Sequence, residues 1–247
     1  MVDCLGWRSV IGIVMPSTNT SVQPESEALR PRGVINQIAR ISIQERPLSS
    51  DLAFIDHVAA MRSGIGDAID QVMTCAPNHL IMGVALEAFW GGVSQAEALR
   101  LELEQRAGVG VSMGSDALRA ALDAFGAKRI AVLTPHQPRG DVVVQTYLEE
   151  AGYEVRRLKG LRCASPRLIA HTSEADVRAA FRELDGDDVD ALVQVGTNLA
   201  GMAVAAEAER WLGKPVLSMN AITYWNALRR LGIEDRIYGH GRLLEEF

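Results

Sequence analysis

The chain has 247 residues, a formal net charge of −6, and 48% hydrophobic and 23% charged residues, which is ordinary usage for one large or two small α/β domains. Acids and bases are interspersed along it, so it lacks the basic face that neutralises a phosphate backbone and no nucleic-acid partner is expected. No apolar run approaches the roughly 20 residues that cross a bilayer, and no basic-then-apolar leader opens the chain, so a cytoplasmic protein with no membrane partner is expected.

Short apolar runs rich in Val and Ile alternate with stretches of helical period, the pattern of βαβ units on a parallel sheet. In chain order the predicted strands are 10–15, 38–43, 79–84, 109–113, 129–134, 154–158, 191–195 and 215–219. The predicted covering helices are 52–75, 95–105, 115–125, 139–151, 173–184, 202–212 and 223–231.

An internal repeat organises these elements. Ser112-Met113 is followed by Ala121-Leu122 and Gly126, and Ser218-Met219 by Ala227-Leu228 and Gly232, at identical spacings. Ile13 to Ser17 is echoed by Val132 to His136, and Leu80-Ile81 with Gly83-Val84 by Leu192-Val193 with Val195-Gly196. Three matches in the same order predict two similar Rossmann-like lobes, each a four-stranded parallel sheet flanked by helices and related by a pseudo-two-fold. The expected division is 1–115 plus 220–247 against 116–219.

In open parallel sheets ligands bind beyond the carboxyl ends of the strands, so the site is expected between the lobes. The residues at those ends are Ser17, Thr18 and Asn19; Gly83, Val84 and Ala85; His136; and Val195, Gly196, Thr197 and Asn198. Ser17-Thr18-Asn19 offers donors for a carboxylate, or serves as a helix cap. Gly196-Thr197-Asn198 admits a close backbone approach, or is a turn into a helix. Glu87, flanked by Leu86, Ala88, Phe89 and Trp90, is either a carboxyl whose proton affinity is raised by apolar company or a first-turn helix acid. His136 is either a proton carrier or a loop histidine. Gly108 and Gly110 are followed by Met113 where a dinucleotide fingerprint wants glycine, and no Walker lysine occurs. Cys4, Cys75 and Cys163 are odd in number and far apart, and the five histidines lack paired ligand spacing. Neither a disulfide framework, nor a metal, nor a nucleotide cofactor is expected.

These strand-end loops resemble the Asp/Glu racemase superfamily, in its branch of maleate cis-trans isomerases and arylmalonate decarboxylases. The resemblance rests on Gly12 to Thr20, Leu80 to Gly83 with Phe89 to Gly92, Val132 to Pro135, Thr197 to Leu199, and Gly213 through Ser218-Met219-Asn220 to Leu228. It implies a homo-oligomer that binds a small carboxylate between its lobes without metal or organic cofactor, and that uses one or two cysteines at the strand ends. Here those positions fall on Gly83 or Val84 and on Val195 or Gly196. The family's tyrosine after the Thr-Pro pair is replaced by His136, its second-lobe asparagine is not recognisable around Ser165-Pro166, and Asn19 is retained.

The expectation is therefore an enzyme acting on a small carboxylate or related carbonyl compound by cysteine-independent acid–base chemistry. Ser17, Thr18 and Asn19 would hold the anion, Glu87 and His136 would exchange protons or activate water, and Gly196, Thr197 and Asn198 would receive developing charge. Direct proton exchange makes it an isomerase or decarboxylase, and water activation a hydrolase or hydratase. The alternatives are a carboxylate-binding protein without turnover, and a maleate isomerase with a replacement nucleophile.

Overall fold

A computed structural model describes residues 3–48 and 50–247. The first half runs β1 (Ser9–Pro16), α1 (Val22–Ala28), β2 (Val34–Ile41), α2 (Asp51–Met73), β3 (His79–Met82), α3 (Leu86–Phe89), α4 (Gly92–Ala107), β4 (Gly110–Ser112) and α5 (Gly114–Phe125). The second runs β5 (Arg129–Thr134), α6 (Pro138–Glu150), β6 (Glu154–Gly160), a 3-10 turn (Arg167–His171), α7 (Glu174–Leu184), β7 (Ala191–Gln194), α8 (Met202–Leu212), β8 (Val216–Ser218), α9 (Met219–Arg230) and α10 (Arg242–Glu246). No helix among the described residues is long and apolar enough to cross a membrane.

The strands form two all-parallel sheets of the same topology, β2-β1-β3-β4 and β6-β5-β7-β8. The central strands β1 and β5 read as nearly unbroken apolar runs, because helices cover both faces of a parallel sheet. α2 shows how one covering helix is specified. Ser50 accepts the Ala53 N–H at 3.2 Å as its cap, and Phe54, Val58, Met61, Ile65, Ile69 and Val72 form the buried stripe.

The repeat has a physical basis at the ends of α5 and α9. Gly126 and Gly232 take φ of +64° and +70°, a conformation glycine adopts without a Cβ penalty. In the first copy the Ala127 N–H returns to the Leu122 carbonyl at 3.0 Å, and in the second the Ile233 N–H returns to Leu228 at 2.9 Å, so the same helix-ending motif is built twice. These two helices pack on each other, and α9 also packs on α1, β3 and β4. One continuous core carries Ile13, Val14 and Ile81 of the first sheet together with Val132 and Val193 of the second.

Four short helical segments were absent from the sequence expectations. α1 buries only Val22 and Ser26, too few for a helical period. α3, the 3-10 turn and α10 each span less than two turns. The start of β2 also differs, at Val34 rather than 38, because Asn36 and Gln37 interrupt its apolar run while pairing with Ile11 and Gly12.

Candidate active site

Corresponding strands of the two sheets present their carboxyl ends to one cavity. The Gly83 N–H closes on Val14 at 2.7 Å in the first sheet, and the Val195 N–H closes on Leu133 at 2.8 Å in the second. That places Gly83 opposite Val195, and Val84 opposite Gly196, in the two copies. The cavity encloses about 610 Å³ of empty space, its open mouth included.

Nine of the twelve residues singled out from the sequence line it: Thr18, Asn19, Val84, Ala85, Glu87, His136, Gly196, Thr197 and Asn198. Three do not. The Ser17 hydroxyl is turned to the segment that follows β2, donating to the Ile43 carbonyl and accepting the Ile43 N–H at 3.1 Å. Gly83 and Val195 complete the sheet pairing just behind the cavity wall.

The two asparagines hold the loops in place. Asn19 caps α1 by accepting the N–H groups of Ser21 and Val22 at 2.9 and 3.0 Å, and its amide donates across to the Thr197 hydroxyl at 3.2 Å. Asn198 accepts the Thr20 N–H at 2.9 Å and donates to the Pro166 carbonyl at 2.8 Å. Its side chain is thus committed to the seam between lobes rather than to a ligand. Glu25, itself pushed up by burial, strengthens the seam by accepting from Asn220 at 2.6 Å and from the Met202 N–H at 3.1 Å. Gln194 orients the Gly196 carbonyl from behind, donating to it at 2.6 Å.

With the two asparagines so engaged, the donors left for an anion are the Thr18 and Thr197 hydroxyls, the second of which only accepts from Asn19, and backbone groups. Among the described residues, the N–H groups of Val84, Ala85, Gly196, Thr197 and Asn198 donate to no protein acceptor. Amides clustered on the turns that follow two strands, in a partly desolvated cavity, suit negative charge.

The titratable groups of the cavity are Glu87, His136 and His57. Glu87 sits in the first turn of α3 with all four residues of that helix buried. Burial pushes its carboxyl up to about 7, against the opposing pull of its own backbone N–H and of the Arg62 charge. His136 follows Pro135 at the end of β5; its N–H is held by the Thr134 hydroxyl at 3.1 Å and its carbonyl by Arg162 at 2.7 Å. Burial first, then the nearby His57 and Arg162, push its imidazole down to about 4, and its Nε2 is buried without a partner among the described residues. His57 is likewise pushed down by burial, partly offset by Glu45. Both rings are therefore neutral at neutral pH.

His57 was missed in the sequence. It lies three residues after Phe54 and four before Met61, on the buried face of α2, so the apolar period of the helix carried the signal. Around these groups the wall is apolar, with Ile43, Leu48, Phe54, Met61, Leu86 and Ile169. No cysteine lines it: Cys4 and Cys75 are exposed and Cys163 is partly buried elsewhere.

The arrangement joins a carboxyl balanced near neutrality, two neutral imidazoles and unused amides in one cavity, a combination suited to moving a proton beside a stabilised anion. A family model described as arylmalonate decarboxylase matches residues 11–244. Maleate isomerase of Nocardia farcinica is 28% identical over 243 residues, covering 96% of this chain and 95% of that protein. Arylmalonate decarboxylase of Bordetella bronchiseptica is 25% identical over 217 residues, covering 81% and 89%. Among solved structures, a cysteine-to-serine mutant of the Nocardia farcinica maleate cis-trans isomerase, with a covalently bound succinylcysteine intermediate, matches with a TM-score of 0.87 at 25% identity, covering 96% of this chain and 98% of that one. The two parallel four-stranded sheets, the cavity between them and a match over nearly the whole length lead to one assignment: the chain belongs to the arylmalonate decarboxylase family.

Proposed function

We propose that this enzyme moves a proton at the carbon next to a carboxylate or carbonyl of a small carboxylate, with Glu87 as proton carrier and without a thiol. The observation that carries the reading is the placement of Glu87, buried and pushed up to about 7, in the same cavity as the unpartnered His136 Nε2 and the free amides. The relatives of this chain are isomerases and decarboxylases. The succinylcysteine of the Nocardia farcinica mutant points to thiol chemistry in that protein. Here Val84 and Gly196 stand at the paired strand ends, and a general acid–base is the group the cavity supplies instead.

In the isomerase form, the Glu87 carboxylate takes a proton from the α-carbon, and the C–H electrons pass into the carboxyl group as an enediolate. The amides of Gly196, Thr197 and Asn198 receive that charge, with the Thr197 hydroxyl fixed by Asn19. The proton then returns from Glu87 to a carbon of the intermediate. In the decarboxylase form, a C–C bond breaks, carbon dioxide leaves with its two oxygens, and the electron pair left behind takes its proton from protonated Glu87. Neutral His136 donates a hydrogen bond to the developing oxyanion or accepts one from substrate, a task that suits an imidazole of low basicity. A carboxyl balanced at about 7 serves both directions near neutral pH.

The proton carrier and the charge acceptors all belong to the chain, so the reading calls on neither metal nor organic cofactor. The lobes are taken as 1–115 plus 220–247 and 116–219, supported by the packing of α9 on α1, β3 and β4. The family resemblance further supports a homo-oligomer, which light scattering of the purified protein tests.

The direct test is incubation with a panel of small mono- and dicarboxylates in deuterated water, followed by proton NMR. Deuterium appearing beside a carboxylate, a shifted alkene signal or a lost carboxylate is expected, and Glu87→Gln abolishes it. Ligand binding with every compound returned unchanged contradicts the reading and favours a carboxylate-binding protein.

A further inference from the structure

We propose that the cavity is built for a singly charged substrate, one carboxylate joined to an uncharged, apolar end, rather than for a small dicarboxylate. The inference rests on the acid–base reading above for the location of the site, and concerns what the site admits.

The two strand ends offer amides but are not equivalent. In the lining beside Gly196, Thr197 and Asn198 stand neutral polar groups, among them the Thr197 hydroxyl and the Asn19 amide. The Glu25 carboxyl lies behind them, screened by Asn220, which donates to Glu25 at 2.6 Å and to the Thr197 carbonyl at 2.9 Å. The amides of Val84 and Ala85 lie on the turn that carries Glu87. A carboxylate seated there meets the like charge of Glu87 whenever that residue is ionised. The first seat therefore suits an anion, and the second an uncharged carbonyl or an oxygen whose charge arises only during reaction.

Fixed positive charge that would offset a second carboxylate is absent from the described lining, which contains no lysine or arginine. The cations near the cavity stand outside its lining: Arg40 donates to the Asn19 carbonyl at 2.9 Å, and Arg162 and Arg62 act on His136 and Glu87. Arg162 pairs with Asp141 and holds the His136 carbonyl. Arg62 lies over the Trp90 ring, 5.9 Å from its centroid, and lines a separate groove between α2 and α4. The rest of the wall, from Ile43, Leu48, Phe54 and Met61 on one side to Ile169 on the other, rewards an apolar substituent and leaves a desolvated charge unpaired.

The test uses ligands matched in size and differing in charge: maleate against monomethyl maleate, and succinate against isocaproate. Binding is followed at the backbone amides of Val84, Ala85, Gly196 and Thr197 by nitrogen-15 NMR of the full chain, which locates the ligand and yields Kd without turnover. The monoanion of each pair is expected to shift these amides with a Kd at least about tenfold lower than its dianion, a difference of about 1.4 kcal/mol. Glu87→Gln, which removes the like charge, narrows the gap by improving the dianions. Dianions that bind as tightly as their partners overturn the proposal, as do monoanions that leave these amides unmoved at millimolar concentration. Failure of the acid–base reading looks different: the monoanions bind at these amides, but none of the compounds exchanges deuterium or changes.

Discussion

Replacing Glu87 by glutamine separates the charge of this residue from its shape, and its effect on stability follows from its surroundings. Burial raises the carboxyl from 4.5 to about 7 in the folded protein. Between these values the folded state holds a proton that the unfolded state has lost. Its contribution to stability is therefore fully present below pH 4.5 and is lost as pH rises through about 7. At about 1.4 kcal/mol per tenfold change in proton affinity, the loss amounts to about 3 kcal/mol. Glutamine keeps the size of the side chain and never ionises. The variant is thus expected to match the parent at about pH 4 and to exceed it by about 3 kcal/mol near pH 8.5, roughly 6–12 °C in Tm for a chain of this length. Glu209 and Asp116, also raised by burial, and His79, pushed down to about 4, titrate in both proteins and cancel in the difference. Urea unfolding of both proteins across this range is the assay. A stability difference that does not change with pH refutes the reasoning, because Glu87 would then be an ordinary solvated acid.

Further consequences can be read from the same geometry. A kcat/KM profile rising through about pH 7 marks Glu87 as a base in an isomerase, and one falling there marks it as an acid in a decarboxylase; a flat profile contradicts both. His136→Gln is expected to lower kcat about a hundredfold with little change in Tm, measured by steady-state kinetics beside thermal unfolding. In Gly196→Ala the new Cβ would stand 2.6 and 2.7 Å from Cδ and Cγ of Pro135. The loop or the proline must then move, displacing the amide seat and costing about 1–3 kcal/mol of stability together with most of the activity. Asn198→Ala leaves the Thr20 N–H and the Pro166 carbonyl without their partner, an expected loss of about 1–3 kcal/mol in urea unfolding.

The central strands were legible in the sequence because parallel strands covered on both faces must be continuously apolar, and the repeat was legible because Gly126 and Gly232 end two helices by the same backbone motif. The strand-end rule led to Glu87, His136 and the Gly196 loop, which the fold brings to one cavity. Side-chain direction was not legible. Ser17 sits between residues that point toward the cavity, yet a contact with Ile43, distant in sequence, turns it away. Asn19 and Asn198 read as ligand donors, whereas unpaired N–H groups claim much of their capacity, those of Ser21 and Val22 in its own loop for Asn19 and that of Thr20 in the facing lobe for Asn198. His57 was hidden for the opposite reason: on α2 it belongs to a helix face that is core along most of its length and becomes cavity wall only near its start.

The central claim is that this member of the family moves protons through a carboxyl rather than a thiol. The most direct measurement compares the triple variant Cys4→Ser, Cys75→Ser, Cys163→Ser with Glu87→Gln, following deuterium incorporation or product formation by proton NMR on a substrate that the parent protein turns over. The cysteine-free protein is expected to keep its rate within about twofold, and Glu87→Gln to lose at least about a hundredfold. A cysteine-free protein without activity, beside a Glu87→Gln variant that retains it, contradicts the account.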